Sequence, residues 1–341
     1  MRRFFKEPKK NIGLILSLTL LIGLTGCQSQ AMSKSPTDEL RHVIDQAGRE
    51  HDIPIHVEKV FTTGLMGSVF LYTLAPDTMI GWNNDLYPET IPYLKEGYDE
   101  LPVLGRWVGT DMTGSIEEIL KLSPDILINV GTISDEWIVI SDAIEEQLGI
   151  PVLMVSGDFH DIADAYEFMG EILNKESRAK ALADYARNVE LEITLLQSAL
   201  DGVEKKRTYL ASGPEGLETA SKGTINVELL ELMGGEIVAE SGGGRMDVSI
   251  EQALLWDPEI IFVSGSSDSI SDSILWKNVD AVKNGQVFRI PNEPFDWINR
   301  PPSIMRLIGA QWVGNSLYPE LYPVDIEAET NKFIELFFKR D

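Results

Sequence analysis

Thiol and imidazole side chains are scarce in this sequence. Its 341 residues include one cysteine, Cys27, and four histidines. A single cysteine excludes an intramolecular disulfide and a cysteine-ligated metal site, because both need more than one thiol. Three histidines precede residue 60 and lack nearby partners that would complete a metal site. We therefore expect neither a resident metal nor a cofactor.

Basic charge and catalytic motifs are also in short supply. The chain has 29 Lys and Arg residues against 54 Asp and Glu, a formal net charge of −25 at pH 7. This balance argues against a nucleic-acid partner, whose phosphates need a cationic surface. The sequence has no Gly-x-Ser-x-Gly elbow, no phosphate loop and no His-Glu-x-x-His motif. Residues 242–245, Gly-Gly-Gly-Arg, lack the lysine and hydroxyl that a phosphate loop requires.

The first 26 residues have the pattern of a targeting segment. Five basic residues precede an apolar run, Ile12–Leu24, that is too short and wrongly flanked to span a membrane. Leu24-Thr25-Gly26-Cys27 fits the cleavage pattern of bacterial lipoproteins, and the alternative is an ordinary secretory signal with an incidental cysteine. We predict a signal peptide over residues 1–26 and a lipid on Cys27. The lipid would anchor the protein to the outer face of the bacterial cytoplasmic membrane, the periplasmic side in a Gram-negative cell.

The chain that remains after cleavage is long and acidic. It keeps 24 Lys and Arg residues against 53 Asp and Glu, a formal charge of −29. Its length of about 310 residues exceeds one typical hydrophobic core, so two lobes are expected. Residues 27–52 are predicted to form a polar tether and an N-terminal segment.

The stretch from 174 to 203 predicts one long amphipathic helix. It has no proline, and its only glycine is Gly202. Apolar residues recur at three- and four-residue spacings and form one stripe on a helix. These residues are Ala179, Leu182, Ala183, Ala186, Val189, Ile193, Leu196 and Leu200.

An internal repeat flanks this helix. Residues 115–131 and 249–265 are related by a constant offset of 134 and share seven identical positions. Each copy reads as a helix that starts at a serine and leads into a strand ending at glycine. The midpoint of the two copies falls inside the stretch 174–203. We therefore predict an α/β protein of two Rossmann-like lobes joined by one long rigid helix.

The rest of the chain alternates strand, loop and helix patterns, which indicates parallel strands whose loops face a ligand at one end. We predict an N-terminal lobe over 53–173, the connecting helix over 174–203 and a C-terminal lobe over 204–341. Residues 53–64 and 79–83 are each predicted to form a strand and its loop, and further predicted strands are 101–107, 126–130, 151–156, 207–212, 260–264 and 286–291. Further predicted helices are 67–74, 135–148, 224–233, 300–314 and 326–338.

Cations and tryptophans at predicted loops are the candidate ligand contacts. Arginines grip carboxylates and oxyanions with defined geometry, and aromatic rings give flat apolar walls. For each cation the alternative is a surface salt bridge to one of many acidic neighbours. His160, at a predicted strand end, is either a ligand contact or a solvated loop histidine. The candidates are Trp82, Arg106, Trp107, His160, Lys222, Arg245, Trp297 and Arg300.

Several segments together resemble a known family. They are Phe70–Pro76, Ile80–Asn83, Gly216–Ala220, Trp256–Ile261, Ala281–Val287 and Asp296–Ser303. They are similar to segments of the substrate-binding proteins of ABC importers for iron complexes, a family that includes cobalamin and haem binders. The resemblance covers nearly the whole mature chain.

The resemblance implies two α/β lobes joined by a single long helix, with the ligand in the cleft between them. It also implies that one glutamate on each lobe docks onto a permease dimer driven by a cytoplasmic ATPase. The matching positions are Glu117 and Glu251, which the internal repeat pairs. The alternative is that both are ordinary glutamates favoured at helix N-termini by the helix dipole.

We therefore expect a monomeric, lipid-anchored binding protein that captures an iron(III) complex, a siderophore or related chelate, and delivers it to the permease. Alternative ligands in the same fold are molybdate or tungstate, cobalamin, and a nickel or cobalt chelate. An extracellular hydrolase is disfavoured, because no nucleophile, base or metal cluster stands out. A single helical connection further predicts modest lobe closure on ligand binding.

Overall fold

The structure, a computed structural model, describes residues 39–108, 112–240, 242–265 and 270–338. The predicted signal peptide over residues 1–26 and the predicted lipid attachment site Cys27 lie outside these ranges. Within these ranges, no helix combines the length and the apolar character needed to cross a membrane.

The described chain begins with an antiparallel hairpin that the sequence did not predict. Strand β1 (Leu40–Ile44) pairs with β2 (Glu50–Pro54). The prediction of one strand and its loop over 53–64 is wrong, since residues 53 and 54 end β2 and only Val60–Thr62 forms the next strand, β3. Just before β3, the carboxylate of Asp125 accepts hydrogen bonds from the backbone N–H groups of Glu58 and Lys59, which ties this segment to the start of β4.

The N-terminal lobe contains a parallel sheet in the order β3-β4-β5, with β4 at Ile126–Gly131 and β5 at Val152–Ser156. All of β5 and all but the last residue of β4 are buried, as expected for a parallel sheet covered on both faces. Its helices are α1 (Leu65–Leu74), α2 (Ile116–Leu122), α3 (Asp135–Leu148) and α4 (Ile162–Ile172).

The strands predicted over 79–83 and 101–107 are wrong. These segments form only isolated bridges, between Val60 and Met79 and between Trp82 and Val103. Gly81 explains their close approach, because a Cβ atom there would lie 2.6 Å from the carbonyl oxygen of Pro102. The two segments therefore form a loop layer beside β3 instead of extending the sheet.

The long helix is present as α5 (Glu176–Ala199), inside the predicted range 174–203. Its buried residues include those of the apolar stripe from Ala179 to Leu196. The backbone before and after it turns through left-handed residues, Asn174 (φ 54°) and Gly202 (φ 75°). The helix therefore begins and ends where such residues interrupt the regular backbone.

The C-terminal lobe contains a parallel sheet in the order β11-β10-β6-β8 and a small antiparallel ribbon of β7 and β9. Its strands are β6 (Lys206–Ala211), β7 (Glu218–Ala220), β8 (Gly235–Ile237), β9 (Arg245–Asp247), β10 (Ile260–Val263) and β11 (Val287–Arg289). Its helices are α6 (Glu228–Leu232), α7 (Ile250–Trp256), α8 (Asp280–Lys283), α9 (Met305–Leu317) and α10 (Ile326–Phe337).

The helix predicted from residue 300 begins five residues later, at Met305. Pro301 and Pro302 restrict the preceding backbone and have no N–H to donate, so this segment remains irregular. Arg300 consequently lies in a loop ahead of α9.

The repeated segment has the same structure in both lobes. Helices α2 and α7 are each seven residues long and are capped by Ser115 and Ser249, whose hydroxyls accept a backbone N–H three residues on. Both helices end at a left-handed residue, Ser123 (φ 51°) and Asp257 (φ 41°). Each leads into a strand with neighbours on both sides, β4 or β10. The offset of 134 residues therefore relates equivalent elements of the two lobes.

Candidate ligand-binding cleft

A cavity of about 430 Å³ is lined by both lobes. The N-terminal lobe contributes the start of α1 and the segment after Trp82, and the C-terminal lobe contributes β9 and the segment before α9. Much of the wall is apolar. Apolar lining residues include Leu65, Val69, Leu86, Phe295, Pro301 and Pro302.

A buried hydrogen-bond network fixes the N-terminal wall. The side-chain amide of Asn83 donates to the carbonyl oxygens of Thr62 (2.8 Å) and Gly105 (2.9 Å). The Asn83 side-chain oxygen accepts a hydrogen bond from Thr62 Oγ1 at 3.0 Å and another from the hydroxyl of Ser68, which lines the cavity. The indole N–H of Trp82 donates to the carbonyl oxygen of Tyr98 at 2.7 Å. The chain after Trp82 therefore starts from a fixed position.

A carboxylate-capped turn shapes the C-terminal wall. Buried Asp296 accepts hydrogen bonds from the backbone N–H groups of Ile298 and Asn299, both at 2.8 Å. Burial raises the pKa of Asp296 despite these hydrogen bonds. The side-chain amide of Asn299 donates to the carbonyl oxygen of Asn226 at 3.0 Å. These contacts present Arg300 at the cavity wall.

Two guanidinium groups, of Arg245 and Arg300, line the cavity from the C-terminal lobe. Arg245 is on β9, opposite Ala220 of β7 in the ribbon. Among the described residues, no Asp or Glu forms an ion pair with either arginine. Burial, and then the positive charge of Arg300, lower the pKa of Arg245. Two like charges on one wall repel each other, so an anionic group between them would be favourable.

A second cavity of about 480 Å³ adjoins the first and shares Tyr87, Phe295 and Arg300 with it. Its wall is more polar and includes Glu89 and Arg289. The guanidinium of Arg289 donates to the carbonyl oxygen of Gly265 at 3.0 Å. Arg300 therefore stands between two compartments of one cleft.

The structure brings three of the predicted ligand contacts together, Trp82, Arg245 and Arg300. Trp107 and Trp297 lie elsewhere and are buried. Trp107 packs in a cluster with Phe61 and Leu104 in the N-terminal lobe. The Trp297 indole N–H donates to the carbonyl oxygen of Glu293 at 2.9 Å, and its ring meets Trp312 edge to face.

The other three predicted contacts also lie outside both cavity walls. The backbone carbonyl of Arg106 accepts hydrogen bonds from the N–H groups of Thr113 and Gly114, which closes a loop. His160 is exposed, and its Nδ1 atom lies 3.3 Å from Oε1 of Glu190 on α5. The side chain of Lys222 is exposed, and its backbone N–H donates to the carbonyl oxygen of Ala239.

Several cleft residues were missed from the sequence. Asn84, Asp85, Leu86 and Tyr87 line the cavity as a group. One signal could have found them, since they directly follow the Trp82-Asn83 pair at the end of a predicted strand. Phe295 had no such signal beyond its place near the predicted Trp297.

Glu117 and Glu251 occupy equivalent exposed positions in the first turns of α2 and α7. Glu117 forms an ion pair with Lys121 at 2.9 Å. Hydrogen bonds from the backbone N–H of Glu251 and from the Ser249 hydroxyl lower the pKa of Glu251. Both carboxylates are therefore presented to solvent from the same element of the repeat.

The described residues contain no group of three or more His, Cys, Asp or Glu side chains placed to hold a metal ion. The chemistry available at the cleft is recognition of an anionic group by arginines and of apolar surface by its walls. A family model described as periplasmic binding protein matches residues 88–294, more than half of the chain. The chain belongs to this family.

Membership of the periplasmic binding protein family makes this chain the substrate-binding component of an ABC importer, so a permease is its partner. Members of this family bind their ligands and are not enzymes. The family and the two-lobed α/β fold expected from the sequence are thereby confirmed. Family membership leaves the ligand open.

Three proteins illustrate what this chain is similar to. A solved ABC transporter solute binding protein from Sulfurospirillum deleyianum DSM 6946 superposes with a TM-score of 0.80 at 30% identity, covering 87% of this chain and 95% of that one. The molybdate-binding protein MolA of Haemophilus influenzae is 26% identical over 66% of this chain and 70% of its own length. The Fe(3+)-citrate-binding protein YfmC of Bacillus subtilis is 26% identical over 53% of this chain and 58% of its own length.

Proposed function

We propose that this periplasmic binding protein captures an iron(III) complex of an organic chelator. The observation that carries the proposal is the cleft itself: about 430 Å³ of largely apolar space with Arg245 and Arg300 on one wall. A ferric chelate that keeps anionic oxygens at its surface would accept hydrogen bonds from both guanidinium groups. Its organic ligand would pack on the half-buried side chains of Phe295 and Leu86.

The size of the cleft favours a chelate over a bare oxyanion. Cavities of roughly 300–1,000 Å³ enclose drug-sized molecules, and the adjoining compartment adds about 480 Å³. A tetrahedral oxyanion would fill a small part of this space and leave the apolar wall in contact with water. Molybdate remains the second candidate, because one relative is a molybdate-binding protein.

We also propose how the loaded protein is held and presented. A lipid on Cys27 would keep it at the outer face of the cytoplasmic membrane as a monomer. Glu117 and Glu251, one on each lobe, would bind basic pockets of the permease dimer. Support for this role comes from their equivalent, exposed positions in α2 and α7.

Thermal unfolding with a ligand panel tests the ligand class. The panel contains ferric siderophores, ferric citrate, haem, cobalamin, molybdate, tungstate and nickel–histidine, because a specific ligand stabilises the folded state by mass action. We expect a ferric chelate to raise the Tm by several degrees at about 100 times its Kd, where the stabilisation is about 2.7 kcal/mol. Stabilisation by molybdate and by no iron complex would contradict the proposal.

The variant Arg300→Gln tests the site. It removes a cation shared by both compartments, so it should weaken binding of the stabilising chelate by about tenfold or more. Lys277→Gln is the matched control, because Lys277 is exposed and lies outside both cavity walls. Equal chelate affinities of the two variants would show that the ligand does not bind in this cleft.

A further inference from the structure

The two walls of the cleft differ in charge, although the C-terminal wall also carries the buried carboxylate of Asp296 beside its arginines. The C-terminal wall presents Arg245 and Arg300, whereas the N-terminal wall presents the segment 84–89, which we call the acidic lip. Its carboxylates are Asp85, on the wall of the 430 Å³ cavity, and Glu89, on the wall of its neighbour. Among the described residues Asp85 has no ion-pair or hydrogen-bond partner for its carboxylate, and its side chain is exposed to the cleft.

The acidic lip is fastened at both ends. At its start, buried Asn83 donates two hydrogen bonds to backbone carbonyl oxygens. At its end, the hydroxyl of buried Thr90 donates to the carbonyl oxygen of Pro294 across the cleft at 2.6 Å. Three residues later, Tyr93 donates to the carboxylate of Glu293 at 2.9 Å. The lip is therefore tied to the rest of the cleft at both ends, and Asp85 between these ends lines the cavity.

A carboxylate on this wall has a consequence for recognition. A purely anionic ligand held by the arginines would be repelled by Asp85, which lines the same partly apolar cavity. A ligand that also carries a hydrogen-bond donor would convert this repulsion into a charge-assisted hydrogen bond. A carboxylate on this wall thus disfavours a purely anionic chelate and favours one that also has a hydrogen-bond donor. Binding sites gain specificity from such a difference in affinity.

We propose that the cleft selects a chelate that carries both anionic oxygens and a hydrogen-bond donor. Anionic oxygens of the ligand bind Arg245 and Arg300, and a hydroxyl or amine group of the same ligand donates a hydrogen bond to Asp85. Asp85 is then the specificity-determining residue of the cleft. This inference rests on the proposed binding of iron(III) complexes and names the class of complex.

A matched pair of probes tests the inference. The ferric tris-complexes of 2,3-dihydroxybenzoylserine and 2,3-dihydroxybenzoylglycine carry the same charge and differ by one hydroxyl donor per arm. We expect the full-length protein to bind the serine complex at least about fivefold more tightly, since a hydrogen bond to a charged group has this order of effect. Tryptophan fluorescence follows binding, because Trp82 lines the cavity.

The variant Asp85→Ala should abolish this preference and tighten binding of the glycine complex by about tenfold, because it removes both the hydrogen-bond acceptor and a negative charge that disfavours an anion. Asp99→Ala, on an exposed carboxylate outside both cavity walls, should behave as the wild type. Binding of both complexes without preference, or a preference retained in Asp85→Ala, would overturn the inference and leave the proposed function standing. Failure of both complexes to bind the wild type would overturn the inference together with iron-chelate capture.

Discussion

At the scale of single residues, Asp45 fastens the N-terminal hairpin to the N-terminal lobe. Its buried carboxylate accepts hydrogen bonds from the backbone N–H groups of Met154 on β5 and of Arg49, both at 2.9 Å. It also forms an ion pair with the Arg49 guanidinium at 2.8 Å. Burial alone would raise its pKa, but the hydrogen bonds from His51, Met154 and Arg49 and the charge of Arg49 outweigh it and lower the pKa to about 2.

Asp45→Asn should therefore destabilise the protein in a pH-dependent way. The folded pKa of about 2 lies below the ordinary value of 3.8. The stabilisation is fully present above pH 3.8, where it amounts to about 2 kcal/mol. It is lost as pH falls through the folded pKa. Urea unfolding should show wild type more stable than the variant at pH 7 and the difference closing toward pH 2.

Asp142→Asn is the control for this prediction. Asp142 pairs with the same arginine at 2.8 Å but is well exposed, so its loss should cost less than about 1 kcal/mol. Equal losses for the two variants would contradict the role given to burial and to the backbone hydrogen bonds of Asp45.

Individual site residues were only partly predictable. Arg245 and Arg300 reach the cleft, whereas all three predicted tryptophans are buried, and of these only Trp82 also lines the cavity. Local sequence cannot say toward which layer a loop aromatic turns, because that depends on where the loop packs. Asp85 was missed because one acid among 54 Asp and Glu residues has no local mark of function.

At the scale of elements, α2 and α7 are the two copies of one repeated structural motif. A serine cap, a seven-residue helix and a left-handed end recur at an offset of 134 residues. Each helix leads into a central strand through an acidic residue, Asp125 or Glu259. The Asp125 carboxylate accepts the backbone N–H of Glu58 just before β3, and the Glu259 carboxylate accepts that of Arg207 in β6. The repeat therefore fixes the position of Glu117 on one lobe and of Glu251 on the other.

Reversing both charges should uncouple binding from transport. We expect Glu117→Arg combined with Glu251→Arg to leave chelate affinity unchanged and to abolish uptake, because each arginine would meet a basic pocket of the permease. Uptake of radiolabelled iron by cells and affinity of the purified protein are the two measurements. The matched control combines Glu118→Arg with Gln252→Arg, one residue along in both helices. Normal uptake in the first variant, or an equal loss in the control, would remove the docking assignment.

Elements with strong periodicity or full burial were predictable, and half-exposed ones were not. The stripe of α5 and the apolar runs of β4, β5 and β10 identified these elements. Strand β1 alternates exposed and half-buried residues, so it offers no continuous apolar run. The segments around Gly81 and Pro102 look like strands but pair through single bridges. Their assignment depends on tertiary packing, which the local pattern does not contain.

At the scale of the whole molecule, the lobes are joined by more than the long helix. The C-terminal helix α10 packs its aromatic face against the N-terminal lobe and α5: Phe337 meets Tyr166 and Tyr185, and Phe338 meets Tyr72. The guanidinium of Arg178 on α5 donates to carbonyl oxygens at the end of α10. The chain thus crosses between the lobes twice, and both crossings are helices with buried contacts.

Two helical crossings predict a small closing motion on ligand binding, because each resists the backbone rotation that a loop hinge would absorb. Spin labels on Val139→Cys and Ile274→Cys, exposed positions on opposite lobes, would report the interlobe distance in a Cys27→Ser background. We expect saturating chelate to shift this distance by a few ångströms at most. Phe337→Ala is the comparison: it opens a cavity beneath α10 at a cost of about 3–5 kcal/mol, and should broaden the distance distribution without ligand. A lobe rotation of tens of degrees in the wild type, or an unchanged distribution in Phe337→Ala, would show that α10 does not restrain the lobes.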